Sequence, residues 1–488
     1  MPEYVFKTKP FAHQEELFLR TRDTARYGLF WEQRCGKTKP TLDTAAYLYE
    51  KGEITGLFVI APNGVHRNWV ADEIPTHLPP RVAVACFIYE SGAAGTKRGT
   101  NAAAGFLDNS SRELKVLVMS YDGFMTKKGK AMALAFLAKH RCLYVLDEAH
   151  RIKNPGAKRT KAILVSGKNA PYRRVLTGTP IANSPFDAYT IMKFLDLGFW
   201  KPFYLDSFFI FKNHFGIWRK VDPDDPNPYG AQYCVAHRNL EQLATILASC
   251  SSRVTKDKVL DLPPKVYAKR YFELNTEQKR TYREIRDEFM TYLNDGLVTA
   301  PLVIQRLIRL QQITSGWLPV EGEPAIPLGE SNPRLAALEE LLEDEGLGKV
   351  IIFAKFRRDV DAIMELTKRL GLSPVRYDGA INDPQQRYAN LQAFQTGDAR
   401  AFVANPAVAG EGISLVAATA VIYYNNSYKL TERLQSEDRA HGPGQTKSVG
   451  YVDIVAQDTV DEDIVDALVK KLDTASLVLG DAIKEWLR

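Results

Sequence analysis

Short, strongly apolar runs of β-prone residues alternate with helical stretches in two separate parts of the chain. Each run is too short for a helix and is flanked by amphipathic segments, which is typical of buried strands in a parallel sheet covered by helices on both faces. The pattern predicts an α/β fold with two parallel-sheet lobes. The predicted strands are residues 27–31, 57–61, 116–119, 143–147 and 173–177 in the first part, and 350–354, 373–378, 401–405, 420–424 and 451–455 in the second.

The region between these two parts has a different character. Residues 199–218 are crowded with aromatic side chains, and residues 276–345 have a helical periodicity. We expect the aromatic block to form the core of a helical protrusion rather than a surface on which bases stack. The predicted organisation is a first lobe at 1–198, helical insertions (protrusions and a linker) at 199–333, and a second lobe with a C-terminal brace helix at 334–488.

Composition narrows the class of protein. Hydrophobic residues make up 45% and charged residues 25% of the 488 residues, so the chain can fill several cores and is not largely disordered. No run reaches the roughly 18 apolar residues of a membrane span, and the N-terminus lacks the apolar core of a secretory signal. We therefore expect a cytoplasmic protein, or a nuclear one, without a membrane partner. Five scattered cysteines without a CxxC pair argue against a disulfide framework or a structural zinc site.

A phosphate-binding loop is predicted directly after the first strand. The segment WEQRCGKT ends in Gly36, Lys37 and Thr38 and precedes a helical stretch. Loop amides and a helix N-terminus favour phosphate, the lysine reaches the β and γ oxygens, and the threonine hydroxyl can bind Mg²⁺. The match is incomplete, because Trp31 occupies the first glycine position of the GxxxxGK[ST] pattern.

Two further segments fit the same nucleotide chemistry. Asp147 and Glu148 follow a predicted strand, at the edge of the sheet where ligands bind in open α/β folds. We expect Asp147 to bind Mg²⁺ and Glu148 to orient or deprotonate the attacking water. The segment predicted to couple the nucleotide site to a moving lobe follows the next strand and contains Thr177, Gly178 and Thr179.

These segments, in this order, resemble the Swi/Snf-type DNA translocases of helicase superfamily two. The resemblance rests on DEAHRIKN at 147–154, LTGTPIAN at 176–183 and APNGVHRNW at 61–69, and it extends over about residues 14 to 462. Gln14 stands in a segment that resembles the family's adenine-reading glutamine motif, which implies an ATP contact. The resemblance also implies RecA-like lobes, ATP and Mg²⁺ as cofactors, and a DNA-dependent ATPase activity.

The second lobe carries its own family segments, which are VIIFAKF at 350–356, YDG at 377–379, GEGISL at 410–415 and QSEDRAH at 435–441. The resemblance implies that Gly412 lies at the ATP site, that Arg439 is an arginine finger for the γ-phosphate, and that Gln435 positions it. Two positions depart from the family pattern. Gly442 stands where a second arginine is usual, and Arg34-Cys35 stands where Gly-Leu is usual.

The resemblance also implies a partner, double-stranded or branched DNA. Proteins that move along a duplex hold mainly phosphates, and a net charge of +6, from 64 basic and 58 acidic residues, permits a basic track. Because the motifs take up nearly the whole chain, we expect a minimal, monomeric motor of bacterial or phage type, acting at the nucleoid or in the cytoplasm of a phage-infected host. The predicted DNA contacts are Asn63, Arg67, Ser120, Tyr121, Lys153, Lys355 and Asn405.

The sequence thus predicts an ATP-dependent translocase on double-stranded DNA that remodels protein–DNA complexes or branched DNA. Two alternatives stay open. One is a strand-separating helicase on DNA or RNA, against which stand the Swi/Snf-like context of the DEAH segment and the lack of an evident unwinding element. The other is an ATP-gated DNA clamp with weak hydrolysis, which the glycine at position 442 favours.

Overall fold

The structure is a computed structural model that describes most of the chain. Residues 221–230, whose Pro- and Asp-rich sequence is typical of a turn region, and the last residues of the predicted brace helix, 482–488, lie outside the described residues. So do the side chains of 289–294 and 300–303. The described residues are 4–107, 112–220, 232–294, 300–320, 322, 325–344, 347–381, 383–409 and 412–481.

The chain divides into two compact units, each assembled from several segments. Unit 1 comprises Met1–Ile217, Val235–Leu260 and Thr474–Ala482, and unit 2 comprises Trp218–Cys234, Asp261–Asp473 and Ile483–Arg488. The region at 199–333 is therefore shared between the two units.

The strands of the described chain are, in order, β1 (Arg26–Trp31), β2 (Gly56–Ala61), β3 (Val84–Tyr89), β4 (Leu114–Ser120), β5 (Cys142–Asp147), β6 (Tyr172–Leu176), β7 (Gly216–Lys220), β8 (Gln232–His237), β9 (Ser251–Val254), β10 (Lys265–Phe272), β11 (Trp317–Leu318), β12 (Ile326–Pro327), β13 (Lys349–Phe353), β14 (Val375–Tyr377), β15 (Ala401–Ala404), β16 (Ala418–Tyr423) and β17 (Val449–Ala456).

The α-helices are α1 (Ala12–Thr21), α2 (Thr38–Glu50), α3 (His66–Asn68), α4 (Ile74–His77), α5 (Lys97–Phe106), α6 (Tyr121–Met125), α7 (Lys127–Lys139), α8 (Lys158–Gly167), α9 (Ala188–Leu195), α10 (Phe208–Phe215), α11 (Leu240–Ala248), α12 (Lys256–Val259), α13 (Thr276–Asn294), α14 (Ala300–Thr314), α15 (Pro333–Leu342), α16 (Arg357–Arg369), α17 (Pro384–Gln395), α18 (Pro406–Ala409), α19 (Leu430–Ala440) and α20 (Val460–Leu479). Within the described ranges, none of these helices is long and apolar enough to cross a membrane.

Unit 1 is organised around a seven-stranded parallel sheet with the strand order β3-β4-β2-β5-β6-β1-β9. Every residue of β2 is buried, as expected for a strand whose two faces are both covered. The neighbouring residues Tyr144 and Val145 belong to different hydrophobic clusters, because successive side chains of a strand point to opposite faces.

Unit 2 contains a six-stranded parallel sheet with the order β10-β17-β16-β13-β15-β14. Ile351 and Ile352 of β13 again lie in different clusters. Helix α16 buries Val360 and Ile363 against this sheet's core and is followed by Gly371, whose φ of 70° suits the end of a helix. The predicted α/β fold with two parallel-sheet lobes is confirmed.

The middle of the chain adds strands as well as helices, which corrects the prediction of a largely helical insertion. β9 pairs with β1 at one edge of the first sheet, and β10 pairs with β17 at one edge of the second. Both are edge strands and lack the continuous apolar run of a central strand. The aromatic block is a buried core only in part: Trp200, Phe211 and Phe215 are fully enclosed, as expected, whereas Tyr204 and Phe209 are exposed.

Helix α20 contributes to both units. Val460, Ile464 and Leu468 lie in a hydrophobic cluster of unit 2, whereas Ala475 and Val478, later in the same helix, lie in a cluster of unit 1. The end of the described chain is therefore part of the core that supports the first sheet.

Candidate nucleotide-binding site

The loop between β1 and α2 has the backbone shape of a phosphate cradle. Gly36 has a φ of 73°, and a Cβ built at this position would lie 2.3 Å from Nε2 of Gln14. Both the left-handed conformation and the close approach of the glutamine therefore require glycine here. Arg34 also lies in the left-handed region, with a φ of 66°. Such a conformation costs a non-glycine residue about 1 kcal/mol or more, so the departure from the family's glycine leaves strain in the loop.

Helix α1 holds this loop from the side. Nε2 of Gln14 donates to the carbonyl of Gly36 at 2.9 Å, and Oε1 of the same side chain accepts from the amide of Phe11 at 2.9 Å. Nε2 of His13 lies 3.0 Å from the carbonyl of Cys35. Gln14 thus orders the phosphate loop, while its predicted contact with adenine stays a prediction.

Lys37 lies at the end of the loop, and Thr38 is the first residue of α2. The Lys37 ammonium donates to the carbonyl oxygens of Trp31 and Glu32, at 3.1 and 3.2 Å. It is therefore held inside the curve of the loop, where a positive charge and the helix N-terminus together attract phosphate.

The two carboxylates predicted from the DEAH segment lie at the end of β5. Oδ1 of Asp147 accepts from the amide of Glu148 at 3.0 Å, and Oδ2 accepts from Nε1 of Trp69 at 3.1 Å. Burial raises the pKa of Asp147, and the negative charge of Glu148 raises it further, whereas the positive charge of Lys37 lowers it. The opposing effect of Lys37 means that the loop and the carboxylate are close enough to interact electrostatically.

Glu148 has an unusual backbone conformation, with φ 51° and ψ 53°. Left-handed residues other than glycine are concentrated at functional sites. Its Oε2 lies 3.2 Å from Nδ1 of His150, which is also 3.2 Å from Oγ1 of Thr177. The acid pair is therefore connected through one imidazole to the segment after β6.

That segment also contacts the phosphate loop. Oγ1 of Thr177 accepts from the amide of Thr179 at 3.2 Å. A Cβ built at Gly178 would lie 3.2 Å from the amide of Gln33 and from the carbonyl of Trp31. The three predicted coupling residues thus lie between the acid pair and the loop, which are brought together because β5, β6 and β1 are adjacent parallel strands.

Sequence reasoning missed a partly buried arginine behind the loop. Arg253 on β9 donates to the carbonyls of Phe30 and Gly178, at 2.7 and 3.1 Å, and it pairs with Asp481 at 2.7 Å and with Glu32 at 3.4 Å. These partners are distant from it along the chain, and no short motif indicates them. Trp69 ends the segment APNGVHRNW, but the sequence does not indicate its hydrogen bond to Asp147.

The residues predicted to hold Mg²⁺ supply oxygen ligands, the kind that this ion prefers. In the part of the chain that the structure describes, no group of three or more histidine, cysteine or acidic residues forms a metal site. Mg²⁺ in nucleotide enzymes needs only one or two protein ligands besides phosphate and water. The Thr38 hydroxyl and the Asp147 carboxylate therefore fit the ion.

The predicted DNA contacts of unit 1 divide into surface and interior residues. Asn63 is exposed and donates to Oδ2 of Asp122 at 2.8 Å, Arg67 is exposed and pairs with Glu90, and Nζ of Lys153 lies 3.8 Å from Asp187. The side chains of Ser120 and Tyr121 are instead buried. Ser120 accepts from the amide of Gly123 at 2.9 Å and so caps α6.

In unit 2, the side chain of one predicted DNA contact, Asn405, forms a hydrogen bond with the backbone of the other, Lys355. Nδ2 of Asn405 donates to the carbonyl of Lys355 at 2.9 Å, and its Oδ1 accepts from the amide of Ala407 at 3.0 Å. The Lys355 ammonium donates to Oε1 of Gln311 at 2.5 Å, and burial lowers the pKa of Lys355. The amide of Asn405 therefore fixes the turn that carries Lys355.

The predicted arginine finger is also found in a defined position. Arg439 donates from Nε to the carbonyl of Gln435 and from Nη1 to the carbonyl of Ile413, both at 3.0 Å. Ile413 follows Gly412, whose φ is 78°. The nearby Arg433 is buried and pairs with Asp453 and Glu437, so its charge serves the interior of unit 2.

Unit 1 therefore places a lysine-bearing loop, two carboxylates and a hydroxyl-bearing segment at one edge of one parallel sheet. A site of this composition can hold a phosphate chain and activate water beside it. The fold and the site together define the class of phosphate-loop nucleoside-triphosphate hydrolases.

The chain belongs to the SNF2-related domain family, which it matches over residues 20–314. Residues 333–444 match the helicase conserved C-terminal domain. These matches confirm the predicted family and an ATPase function.

Similar proteins include both chromatin ATPases and a bacterial protein. The SWI/SNF-related matrix-associated actin-dependent regulator of chromatin subfamily A member 1 of Homo sapiens is 28% identical over 465 residues, which cover 92% of this chain and 41% of that protein. An uncharacterized ATP-dependent helicase of Mycoplasma pneumoniae is 28% identical over 358 residues, which cover 71% of this chain and 32% of that protein. The chain thus spans well under half the length of these relatives.

Among solved structures, the Sulfolobus solfataricus SWI2/SNF2 ATPase core in complex with dsDNA is 24% identical. The similarity covers 99% of this chain and 95% of the Sulfolobus solfataricus chain, and the TM-score is 0.41.

Proposed function

We propose that this protein is an ATP-dependent translocase on double-stranded DNA that remodels protein–DNA complexes or branched DNA. The observation that supports the proposal most is the set of contacts from Glu148 through His150 to Thr177, beside the phosphate loop. Such contacts allow the state of the nucleotide to alter the backbone after β6, which a motor requires. ATP and Mg²⁺ are the proposed cofactors, and double-stranded or branched DNA is the proposed partner of a monomer.

Each residue of the site has a defined part in hydrolysis. Lys37 binds the β and γ oxygens of ATP, and Glu148 orients the attacking water and accepts its proton. The water oxygen attacks the γ-phosphorus, the bond from that phosphorus to the bridging oxygen breaks, and ADP and phosphate leave. Thr38 and Asp147 would hold Mg²⁺, which supplies charge neutralisation on the phosphate oxygens.

The remaining predicted site residues are proposed to act in three ways. Gln14 contacts the adenine, and Gly412 lies at the ATP site with Gln435 and Arg439. Thr177, Gly178 and Thr179 transmit the state of the nucleotide. The proposed duplex contacts are Asn63, Arg67 and Lys153 at the surface of unit 1 and Lys355 and Asn405 in unit 2.

The proposal is tested by the choice of nucleic acid. Duplex DNA is expected to raise ATP turnover on the order of tenfold, within the usual range of coupling between two ligands, and single-stranded DNA less. The protein is expected to displace the third strand of a triplex and not to separate a simple duplex. Separation of the strands would favour a helicase, and DNA binding gated by ATP with little turnover would favour a clamp.

The position of Arg439 gives a second prediction. Arg439→Ala is expected to lower the turnover measured with saturating duplex DNA on the order of 10²-fold or more, because transition-state charge loses a cation, while ATP binding stays close to wild type. Gly442→Arg, which restores the usual family residue, is expected to raise turnover by much less than the 10³-fold that an arginine finger can contribute, because Arg439 is already present. If Arg439→Ala keeps most of its activity, another cation such as Lys447 acts as the finger.

A further inference from the structure

Tyr121 does not lie where a DNA contact should lie. Its side chain is 1% exposed, and it belongs to a hydrophobic cluster of unit 1 that also contains Phe124 and Ala149. A phosphate in solution cannot reach a hydroxyl in this position without unfolding the loop. The predicted DNA contact through this side chain therefore needs a different explanation.

The Tyr121 hydroxyl is directed at the backbone of the acid pair. It donates to the carbonyl of Asp147 at 2.8 Å and lies 3.5 Å from the carbonyl of Glu148. This is the point at which the chain leaves β5 and enters the left-handed conformation of Glu148.

The next residue along the chain is at the surface. Asp122 accepts from Nδ2 of Asn63 at 2.8 Å and from Nη2 of Arg159 at 2.6 Å. The guanidinium of Arg159 also lies 5.7 Å from the centre of the Tyr121 ring, within the range of a cation–π interaction. The loop after β2, helix α8 and the end of β5 therefore meet on α6, whose first residue is Tyr121 and whose second is Asp122.

We propose that Tyr121 is a positioning residue, which connects the surface cluster of Asn63, Asp122 and Arg159 to the acid pair. Its hydroxyl fixes the carbonyl of Asp147 and thereby the direction in which the Glu148 carboxylate points. A duplex that contacts Asn63 pulls on Asp122, and α6 transmits the displacement to the hydroxyl one residue away. The second half of this proposal depends on the proposed function, whereas the positioning of the acid pair does not.

The experiment removes one oxygen atom. Tyr121→Phe keeps the ring in its cluster but leaves the carbonyl of Asp147 without this donor. We expect kcat at saturating duplex DNA to fall about tenfold, since a small misplacement of a catalytic group costs up to about a hundredfold. The KM for ATP and the Kd for duplex DNA are expected to stay within about twofold of wild type, because neither ligand touches the hydroxyl. These changes are measured by steady-state ATPase assays and by fluorescence anisotropy on labelled duplex.

Tyr144→Phe is the matched control. Tyr144 is a fully buried tyrosine of β5, and its hydroxyl contacts Oγ of Ser166 at 3.2 Å rather than the acid pair. The same atom is removed from the same hydrophobic cluster, so a loss of packing or stability would affect both variants alike. A normal kcat for Tyr144→Phe beside a reduced kcat for Tyr121→Phe would assign the effect to the acid pair.

The possible results separate the two proposals. If Tyr121→Phe keeps a wild-type kcat, or if its only defect is a weaker Kd for DNA, Tyr121 does not position the acid pair. If wild-type turnover does not respond to DNA, the proposed function fails. The positioning role is then judged by kcat without DNA, which must still fall at constant KM. An equal loss in both variants would overturn the proposal in favour of a structural role.

Discussion

Replacing Lys37 with alanine is expected to reduce ATP turnover on the order of 10³-fold or more, which leaves no measurable activity in a standard assay. The Lys37 ammonium is held inside the phosphate loop by the carbonyls of Trp31 and Glu32. Without it, the negative charge that accumulates on the γ-phosphate is stabilised only by the loop amides and the helix N-terminus.

The effect of Lys37→Ala is measured as phosphate release with and without duplex DNA. Lys161→Ala, which removes an exposed lysine of α8, serves as a control for the loss of one positive charge from the same unit. Turnover close to wild type in Lys37→Ala would contradict the assignment of the nucleotide site to this loop.

Glu148→Gln is expected to reduce hydrolysis by on the order of 10³-fold, near the middle of the range for a lost general base, while ATP still binds. The amide keeps the size of the side chain and its approach to Nδ1 of His150, but it cannot accept a proton from water. Binding is measured with a fluorescent ATP analogue and turnover as phosphate release. Glu241→Gln, at an exposed position on α11, is the matched control.

A loss of ATP binding in Glu148→Gln would mean that Glu148 has a structural role. Such a role would act through the backbone, because Glu148 occupies a left-handed conformation between Asp147 and the turn that begins at Ala149. The thermal melting temperature of the variant distinguishes a catalytic role of Glu148 from a structural one. A catalytic role leaves it near that of wild type, and a structural role lowers it.

The parts of the site that lie close together in sequence could be predicted. Gly36, Lys37 and Thr38 are consecutive, and so are Asp147 and Glu148, so a short motif carries their chemistry. Their meeting at one sheet edge follows from the parallel order of the strands that precede them. The central strands were found within one or two residues of their ends, because burial on both faces makes them continuously apolar.

The parts that depend on side-chain direction or on distant partners could not be predicted. Ser120 ends the buried strand β4, Tyr121 stands between it and the exposed Asp122, and nothing in the sequence tells which way the tyrosine points. β9 has the sequence SSRV and pairs with β1 on one side only, so it lacks the apolar run that identifies a central strand. The pairing of Arg253 with Asp481 joins residues that are 228 positions apart.

The late position of Asp481 affects how the protein is made. A ribosome adds residues from the N-terminus, and domains usually fold in that order as they emerge. Here the core of unit 1 also needs Ala475 and Val478, and the arginine behind the phosphate loop needs Asp481. The strands of unit 2, from β10 to β17, are synthesised before those residues. All seven strands of the first sheet are therefore synthesised before the strands of the second sheet, but the first sheet and its phosphate loop gain these supporting contacts only afterwards.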